Sequence, residues 1–454
     1  MSSVLGYQRR VPAVGAALRE KTIPGVIFAM YCYFLFDYFF RLAARYPFYA
    51  QLRPTLVMVL LISFALLFQA DRYRSVVRDP RVMVIWALIA YLIVSLPLVE
   101  WPGSVVRHHV DDFVRAVVFL FFTAFIVDTD RRLKVLVGLW LALQVHRVFE
   151  PLRLNIMYGY WGSATHLGHG EFADRLAGAP ADVINPNELG FVIVTAIPFL
   201  HFLLGGSPRW SLKLLYLLLL PPLLYALLLT GSRGAFLAGL VVVGMIFWES
   251  RRKALVAGCI ILIAIGGWSQ MSDTQRDRYR SIYDESAAQY QTAHGRQQGI
   301  IDEFRLGLNR PVFGHGLGTT KEAKVHYTPG RAQASHNLYA ELLIEIGVIG
   351  AAVFMYFLWL VYRLVRHNLR RMKTALRVRP ELRTSFEYRL NQALLTTFLM
   401  YAVYSINYWG LSQSYWYLFA GFCIAFARSI NRNQDRLFGS PPERQTPVRP
   451  VGEK

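Results

Sequence analysis

The chain has 454 residues, of which 54% are hydrophobic and only 17% charged. This composition excludes a string of soluble domains, because apolar stretches of about 20 residues, enough to cross a bilayer as a helix, recur along almost the whole sequence. The formal net charge of +20 would indicate a nucleic-acid partner in a soluble protein. In a membrane protein, Lys and Arg in the cytoplasmic loops explain it, so no nucleic-acid partner is expected.

The apolar stretches predict an all-α polytopic membrane protein with about 12 transmembrane helices. In the sequence these stretches lie at roughly 24–40, 54–70, 82–98, 113–128, 133–149, 188–204, 212–230, 234–249, 253–268, 338–362, 391–408 and 411–428. If the spans alternate in direction, Lys and Arg concentrate on one side, as in 363–390, and are sparse in the short segments on the other. The positive-inside rule then places both termini in the cytoplasm.

The loops divide this pattern into four regions. Residues 1–268 hold spans 1–9 with a periplasmic loop at 150–187, and residues 269–337 form a large periplasmic loop that is helical around 274–306. Residues 338–430 hold spans 10–12. The tail at 431–454 has four Pro among polar residues, which is typical of a disordered segment.

The first candidate for chemistry is the short turn TGSRGA between spans 7 and 8. Gly231 and Gly234 permit a tight turn, and Ser232 is suited to cap the next helix. Arg233 then lies at a helix N-terminus, where the dipole and free N–H groups already favour anions such as a diphosphate. The alternative is an arginine that extends to lipid headgroups.

The second candidate is the run SHNLYAELLIEIG at the start of span 10. His336 lies directly before the helix, whose positive end disfavours a protonated imidazole and leaves a base that is neutral at about pH 7. Asn337 is adjacent to it. Glu341 and Glu345 follow inside the span, where carboxylates indicate function unless they are paired. A structural histidine at an interface is the alternative.

Two further residues come from outside segments. Arg296 lies in the large loop, where a surface ion pair is the alternative to a ligand-binding role, and Asn187 lies in VINPNELG, where it is predicted to cap span 6 or to bind a sugar through its amide. The three cysteines lie in apolar runs, and the histidines lack the spacing of a metal site, so neither a metal nor another cofactor is expected.

The order of four motifs resembles the bacterial O-antigen ligase and O-antigen polymerase superfamily of integral membrane glycosyltransferases. These motifs are, in chain order, NPNELG, TGSRGA, GRQQG with RPVFGHGLG, and SHNLYAELLIEIGVIG. The resemblance covers about residues 183–362. It implies a GT-C-like helical fold in the inner membrane, a periplasmic active site and metal-independent inverting transfer from an undecaprenyl-diphosphate-linked glycan. It also implies His336 as the catalytic base and Arg233 and Arg296 as diphosphate ligands, with Ser232, Asn187, Asn337, Glu341 and Glu345 in support.

The match at Arg296 departs from the superfamily pattern, which often has a Trp a few residues later, where this chain has Ile300 or Ile301.

The acceptor is left open by this resemblance. Long, Gly-rich and aromatic outside segments favour a polymerase of O-antigen or exopolysaccharide repeats, which extends another lipid-linked glycan and can act with a chain-length regulator. A ligase would use lipid A–core instead. The alternative from another class is a transporter or flippase of lipid-linked glycans, for which related halves or broken midplane helices would be expected.

Overall fold

The computed structural model describes residues 22–168, 171–271, 273–280, 290–328, 332–408 and 410–439. It is 79% helical, which confirms the predicted all-α class. The helices in chain order are α1 Gly25–Phe40, α2 Leu42–Arg45, α3 Pro47–Gln51, α4 Pro54–Leu67, α5 Ala70–Val77, α6 Pro80–Ser95, α7 Pro102–Ser104, α8 Val110–Ile126, α9 Asp130–Tyr158, α10 Pro186–Phe199, α11 Trp210–Thr230, α12 Arg233–Glu249, α13 Lys253–Gln270, α14 Asp273–Arg280, α15 Tyr290–Gly307, α16 Thr320–Tyr327, α17 Leu338–Ala375, α18 Phe386–Tyr404, α19 Ser414–Arg432 and α20 Gln434–Phe438.

The predicted count of 12 spans is not confirmed. Within the described ranges, five helical segments are long and apolar enough to cross a membrane: Pro80–Leu98, Asp130–Tyr158, Pro186–Gly205, Trp210–Thr230 and Leu338–Ala375. A sixth results if α4 and α5, which are bent by 96° to one another, form one broken span. The other apolar helices are shorter, such as α1 with 16 residues, or carry more polar residues, so length and composition alone do not establish them as spans.

Ion pairs connect the helix ends and loops at both ends of the bundle. One end holds the C-terminus of α9 and the N-termini of α10, α12 and α17, and here Arg41 and Arg147 bind Asp182. At the opposite end, Lys373 binds Glu249 at 2.6 Å. We call the first of these the His336 end. The predicted site residues on these helices therefore share one end of the molecule.

A small sheet lies in the segment predicted as a periplasmic loop. Strands β1 (Gly162–Gly168) and β2 (Glu171–Leu176) pair antiparallel, with Gly162 opposite Leu176. These strands are not among the predicted elements. They place Arg175 beside the turn that joins α11 and α12.

Helix α17 is interrupted at Gly347, whose backbone has φ 61° and ψ −174°. The Gly-rich turn that follows α15 fills this break: His315 N–H donates to the Ile344 carbonyl at 2.7 Å, and Val348 N–H donates to the Pro311 carbonyl at 2.7 Å. A side chain at Gly347 would collide with the Val312 carbonyl. Glycine is therefore required for both its positive φ and this close backbone approach.

The chain beyond α19 departs from the predicted tail. Residues expected to be disordered from 431 onward instead continue α19 to Arg432 and form α20, where Leu437 is buried. Apolar contact explains the difference, because Leu437 and Phe438 pack on the bundle core. Residues 440–454 lie outside the described part of the chain.

Candidate active site

The turn between α11 and α12 has the predicted geometry. Gly231 has φ 54°, and the Ser232 hydroxyl caps α12 by accepting a hydrogen bond from Ala235 N–H at 3.3 Å. Arg233 is the first residue of α12 and is only 6% exposed. Its guanidinium is therefore inside the protein rather than extended to lipid headgroups, and the helix N-terminus beside it favours an anion.

A second buried arginine braces this turn. Arg175, 7% exposed, donates from Nε to the Thr230 carbonyl at 2.8 Å and from Nη2 to Asn187 Oδ1 at 3.0 Å. The side chains of Arg175 and Arg233 therefore both belong to the surroundings of one short turn, residues 230–233. The sequence analysis did not assign Arg175, because no local pattern connects a residue on β2 with a turn 55 positions away.

Asn187 is not the helix cap that the sequence predicted. The cap of α10 is Asn185, whose side chain accepts from Asn187 N–H and Glu188 N–H, while Glu188 Oε2 accepts from Asn185 N–H at 2.8 Å. Pro186 explains this position, because proline is favoured as the first helical residue and the residue directly before it, Asn185, is then the cap. Asn187 instead contacts Arg175 with its amide oxygen and accepts the Tyr404 hydroxyl at its carbonyl, at 2.7 Å.

His336 lies just before α17, as predicted, with only the cap residue Asn337 between them, and a network around Glu303 fixes its backbone. Glu303 is 6% exposed, and its carboxylate accepts bonds from Lys324 Nζ at 2.5 Å, Ser335 Oγ at 2.6 Å and His336 N–H at 3.4 Å. The imidazole is partly exposed, with Nε2 2.7 Å from Gln333 Nε2. The backbone of His336 is therefore held from inside the protein while its ring remains accessible.

Asn337 caps α17, accepting from Ala340 N–H at 3.0 Å, and donates from Nδ2 to the Ile406 carbonyl at 3.1 Å. The turn that contains Ile406 also contacts the other candidate segment, because Gly234 lies against Asn407 and Tyr404. We call residues 405–408 the bridging turn. Through it, the neighbours of His336 and of Arg233 contact one small piece of backbone.

Glu341 and Glu345 bind protein groups instead of facing the site directly. Glu341 Oε2 accepts from Gly410 N–H at 2.7 Å and Leu411 N–H at 3.2 Å, at the start of the segment leading into α19. Glu345 accepts from Gly318 N–H at 2.8 Å and the Thr320 hydroxyl at 2.7 Å. Both carboxylates are almost fully buried, so these bonds offset the cost of desolvating them.

Arg296 lies on α15, the helix that also carries Glu303, but its side chain is outside the described part of the structure. Its role as a diphosphate ligand stays a prediction. Among the described residues, no group of three or more His, Cys, Asp or Glu side chains could hold a metal ion.

The Gly-rich turn carries a second buried network next to the Glu303 network. His315 is fully buried, with Nδ1 2.5 Å from Glu100 Oε2, and the Tyr327 hydroxyl donates to Glu100 Oε1 at 2.8 Å. Burial alone would raise the pKa of Glu100, but His315, Tyr327 and Arg310 outweigh it and lower the pKa below its usual value. The turn is thereby tied to the segment between α6 and α8.

Comparison with known families agrees with this geometry. Residues 192–355 match the model of the O-antigen ligase family, and this range includes the Arg233 turn, α15, the Glu303 network and the first part of α17. No curated protein matches the chain. Together with the apolar helices, the match indicates an integral membrane protein related to glycosyl-transferring enzymes. The predicted resemblance to the O-antigen ligase and polymerase superfamily is therefore confirmed over residues 192–355.

Proposed function

We propose that this chain is a membrane glycosyltransferase that moves a glycan from an undecaprenyl-diphosphate donor to a sugar hydroxyl at the periplasmic face of the bacterial inner membrane. The observation that carries the proposal is the bridging turn, because it brings an accessible histidine and a buried arginine turn to the same end of one bundle. The family match spans both segments.

In the proposed reaction, the acceptor hydroxyl attacks the anomeric carbon of the donor sugar while His336 accepts its proton. The bond between that carbon and the diphosphate oxygen breaks, and the diphosphate leaves with the electron pair. Attack opposite to the leaving group inverts the anomeric configuration. Arg233 and Arg296 stabilise the negative charge that develops on the leaving oxygen, so the arginines take the place of a metal ion.

Buried neighbouring residues would hold His336 and Arg233 in position for the reaction. Arg175 and Ser232 fix the Arg233 turn from two sides. Asn337 ties the His336 segment to the bridging turn, while Glu341 and Glu345 hold the loops at 410–411 and 318–320 against α17. Such support matters because catalytic groups displaced by about 1 Å lose on the order of a hundredfold in rate.

The acceptor decides between a polymerase, which the long Gly-rich and aromatic outside segments favour, and a ligase, to which the name of the matched family points. The experiment is reconstitution in vesicles with undecaprenyl-diphosphate repeat units alone, resolved on a gel. A ladder of longer lipid-linked chains would identify a polymerase. Transfer that requires added lipid A–core would identify a ligase. If neither appears, and intact donor instead crosses the bilayer, the proposal fails in favour of a flippase.

A Glu303→Gln variant is expected to lower the turnover number about tenfold or more. The amide has the shape of the carboxylate but cannot pair with Lys324, and removing one partner of a buried ion pair costs about 3–5 kcal/mol. The loop that carries Ser335 and His336 would then be less well held. Turnover and thermal unfolding temperature should be measured together.

The matched control is Asp302→Asn, one residue earlier on α15. Asp302 is exposed and pairs with Arg305 at 3.3 Å, so its loss should leave turnover unchanged. Equal activity of the Glu303→Gln and Asp302→Asn variants would contradict the role given to Glu303.

A further inference from the structure

A partly enclosed cavity of about 280 Å³ lies beneath the loop at 177–185, apart from the residues assigned above. Its mouth is at the His336 end, formed by Arg41, Val183 and Gln413. Its base is formed by Trp140, Phe199 and Phe422, deep in the bundle. From Glu188 to Phe199 along α10 the wall extends about 16 Å, at 1.5 Å per helical residue.

The upper wall of this cavity is polar although it lies among apolar helices. Gln144 and Arg147 of α9, Glu188 and Thr195 of α10 and Tyr408 contribute amide, guanidinium, carboxylate and hydroxyl groups. Ionisable and amide side chains inside a membrane bundle are costly, and they characteristically line a water-filled cavity or a substrate path. The reaction proposed above uses none of these five residues.

The charges at the mouth are already balanced, which argues against an anionic occupant. Arg147 donates from Nε to Asp182 Oδ2 at 2.6 Å, and Arg41 donates from Nε to Asp182 Oδ1 at 3.2 Å. Burial alone would raise the pKa of Asp182, but the two guanidinium groups outweigh it and lower the pKa, so the carboxylate is charged. Glu188 supplies a second carboxyl group in the wall. Because both guanidinium groups already donate to Asp182, they have fewer N–H donors left for a phosphate.

Aromatic rings complete the wall. Phe191 packs against Tyr408 and Tyr415 with ring centroids 5.4 Å and 4.9 Å apart, and all three rings line the cavity. Flat apolar faces next to amides, hydroxyls and charged groups match the chemistry of a pyranose, which has apolar C–H faces and a rim of hydroxyls. At about 280 Å³, the cavity is slightly smaller than the range of roughly 300–1,000 Å³ for small-ligand pockets.

The cavity also shares backbone with the candidate site. Glu188 follows Asn187, whose amide oxygen contacts Arg175, and Tyr408 follows Asn407, which lies against Gly234 beside Arg233. A glycan with one sugar in this cavity would therefore extend toward the Arg233 turn. Within the cavity wall, the Tyr408 hydroxyl donates a hydrogen bond to the Glu188 carboxylate at 3.3 Å.

We propose that this cavity is a carbohydrate subsite that binds one neutral sugar ring of a glycan substrate. The proposal rests on the proposed glycosyltransferase function for its biological meaning, but binding can be measured without turnover. The sugar can belong to the lipid-linked repeat-unit glycan or to the core oligosaccharide of lipid A, and the two sources are distinguished by the probes below.

The test uses the full-length protein in lipid nanodiscs and saturation-transfer NMR with two soluble probes at millimolar concentration. One probe is the repeat-unit oligosaccharide released from its lipid carrier, and the other is the core oligosaccharide released from lipid A. Wild type is expected to transfer saturation to ring protons of one of them. A signal from the first assigns the subsite to the repeat-unit glycan, which is the donor of a ligase and both donor and acceptor of a polymerase. A signal from the second assigns it to the lipid A–core acceptor of a ligase.

Gln144→Phe is the blocking variant, because Gln144 is only 3% exposed and faces the cavity. We expect it to weaken binding at least tenfold. Ala142→Phe is the matched control, two residues away on α9 but exposed on the outside of the bundle, and it should bind like wild type. Gln144→Leu is a second variant, for the case that a phenylalanine side chain does not fit and the Gln144→Phe protein does not fold. Because leucine lacks the amide group, this variant should weaken binding about threefold to tenfold.

Equal binding by wild type and both Gln144 variants would overturn the subsite, as would equal loss in Ala142→Phe. Failure of wild type to bind either probe would also overturn it. Glycosyl transfer in reconstituted vesicles is scored separately. Transfer without oligosaccharide binding would refute the subsite alone, whereas binding without transfer would refute the proposed function and leave the subsite standing.

Discussion

A His336→Ala variant is expected to lose about 10²–10⁴-fold in turnover while it still binds the undecaprenyl-diphosphate donor. The size follows from general-base catalysis, because the acceptor hydroxyl would have no group to take its proton as the new bond forms. Donor binding should persist, because the proposed diphosphate ligands are Arg233 and Arg296. Turnover would be followed in reconstituted vesicles, and donor affinity by thermophoresis of a fluorescent donor.

His326→Ala is the control for this variant. His326 is exposed on α16 and packs edge-on against Trp101 with ring centroids 5.9 Å apart, so the change removes an imidazole from the same end of the molecule without touching the proposed site. If donor binding falls as far as turnover in His336→Ala, the histidine acts in binding and another group is the base.

An Arg233→Ala variant is expected to lose about 10²–10³-fold in transfer, because it removes a cation that stabilises charge on the departing diphosphate. Donor affinity should fall as well, since the proposed reaction makes this guanidinium a ligand of the donor diphosphate. Arg233→Lys should recover only part of the activity, because an ammonium group lacks the planar pair of N–H donors that matches two phosphate oxygens. The full donor titration for each variant separates the turnover number from KM.

Arg305→Ala serves as the comparison for Arg233. Its side chain is 70% exposed and pairs with Asp302 on the outer face of α15, so its loss should change transfer little. Unchanged transfer in Arg233→Ala would remove this residue from the mechanism. Folding of each variant can be compared by its thermal unfolding temperature, because Arg233 is itself buried.

Sequence reasoning was most successful where the relevant interactions are local. The turn at Gly231, the cap at Ser232 and the start of α17 directly after His336 depend on neighbours within four residues, and they could be predicted. The same rules applied to VINPNELG should have chosen Asn185 as the cap. Pro186 at the first helical position was the overlooked signal.

The remaining site contacts join residues that are far apart in the chain. Glu303 meets Ser335 across 32 positions, Arg175 meets Thr230 across 55, and Asn337 meets Ile406 across 69. Periodicity and motif spacing carry no information on such pairs in a single sequence. The strands β1 and β2 lie within the segment 150–187, which the hydropathy pattern predicts only as a periplasmic loop.

The break at Gly347 divides α17 into two parts that one loop holds together. The part before it, which follows Asn337 and carries Glu341, is fastened to surrounding loops by hydrogen bonds, and the longer part after it packs laterally against other helices. Because the Gly-rich turn hydrogen-bonds to Ile344 on one side of the break and to Val348 on the other, the break is a braced joint and not a hinge. The His336 loop therefore keeps a fixed position relative to the helices that surround the longer part of α17.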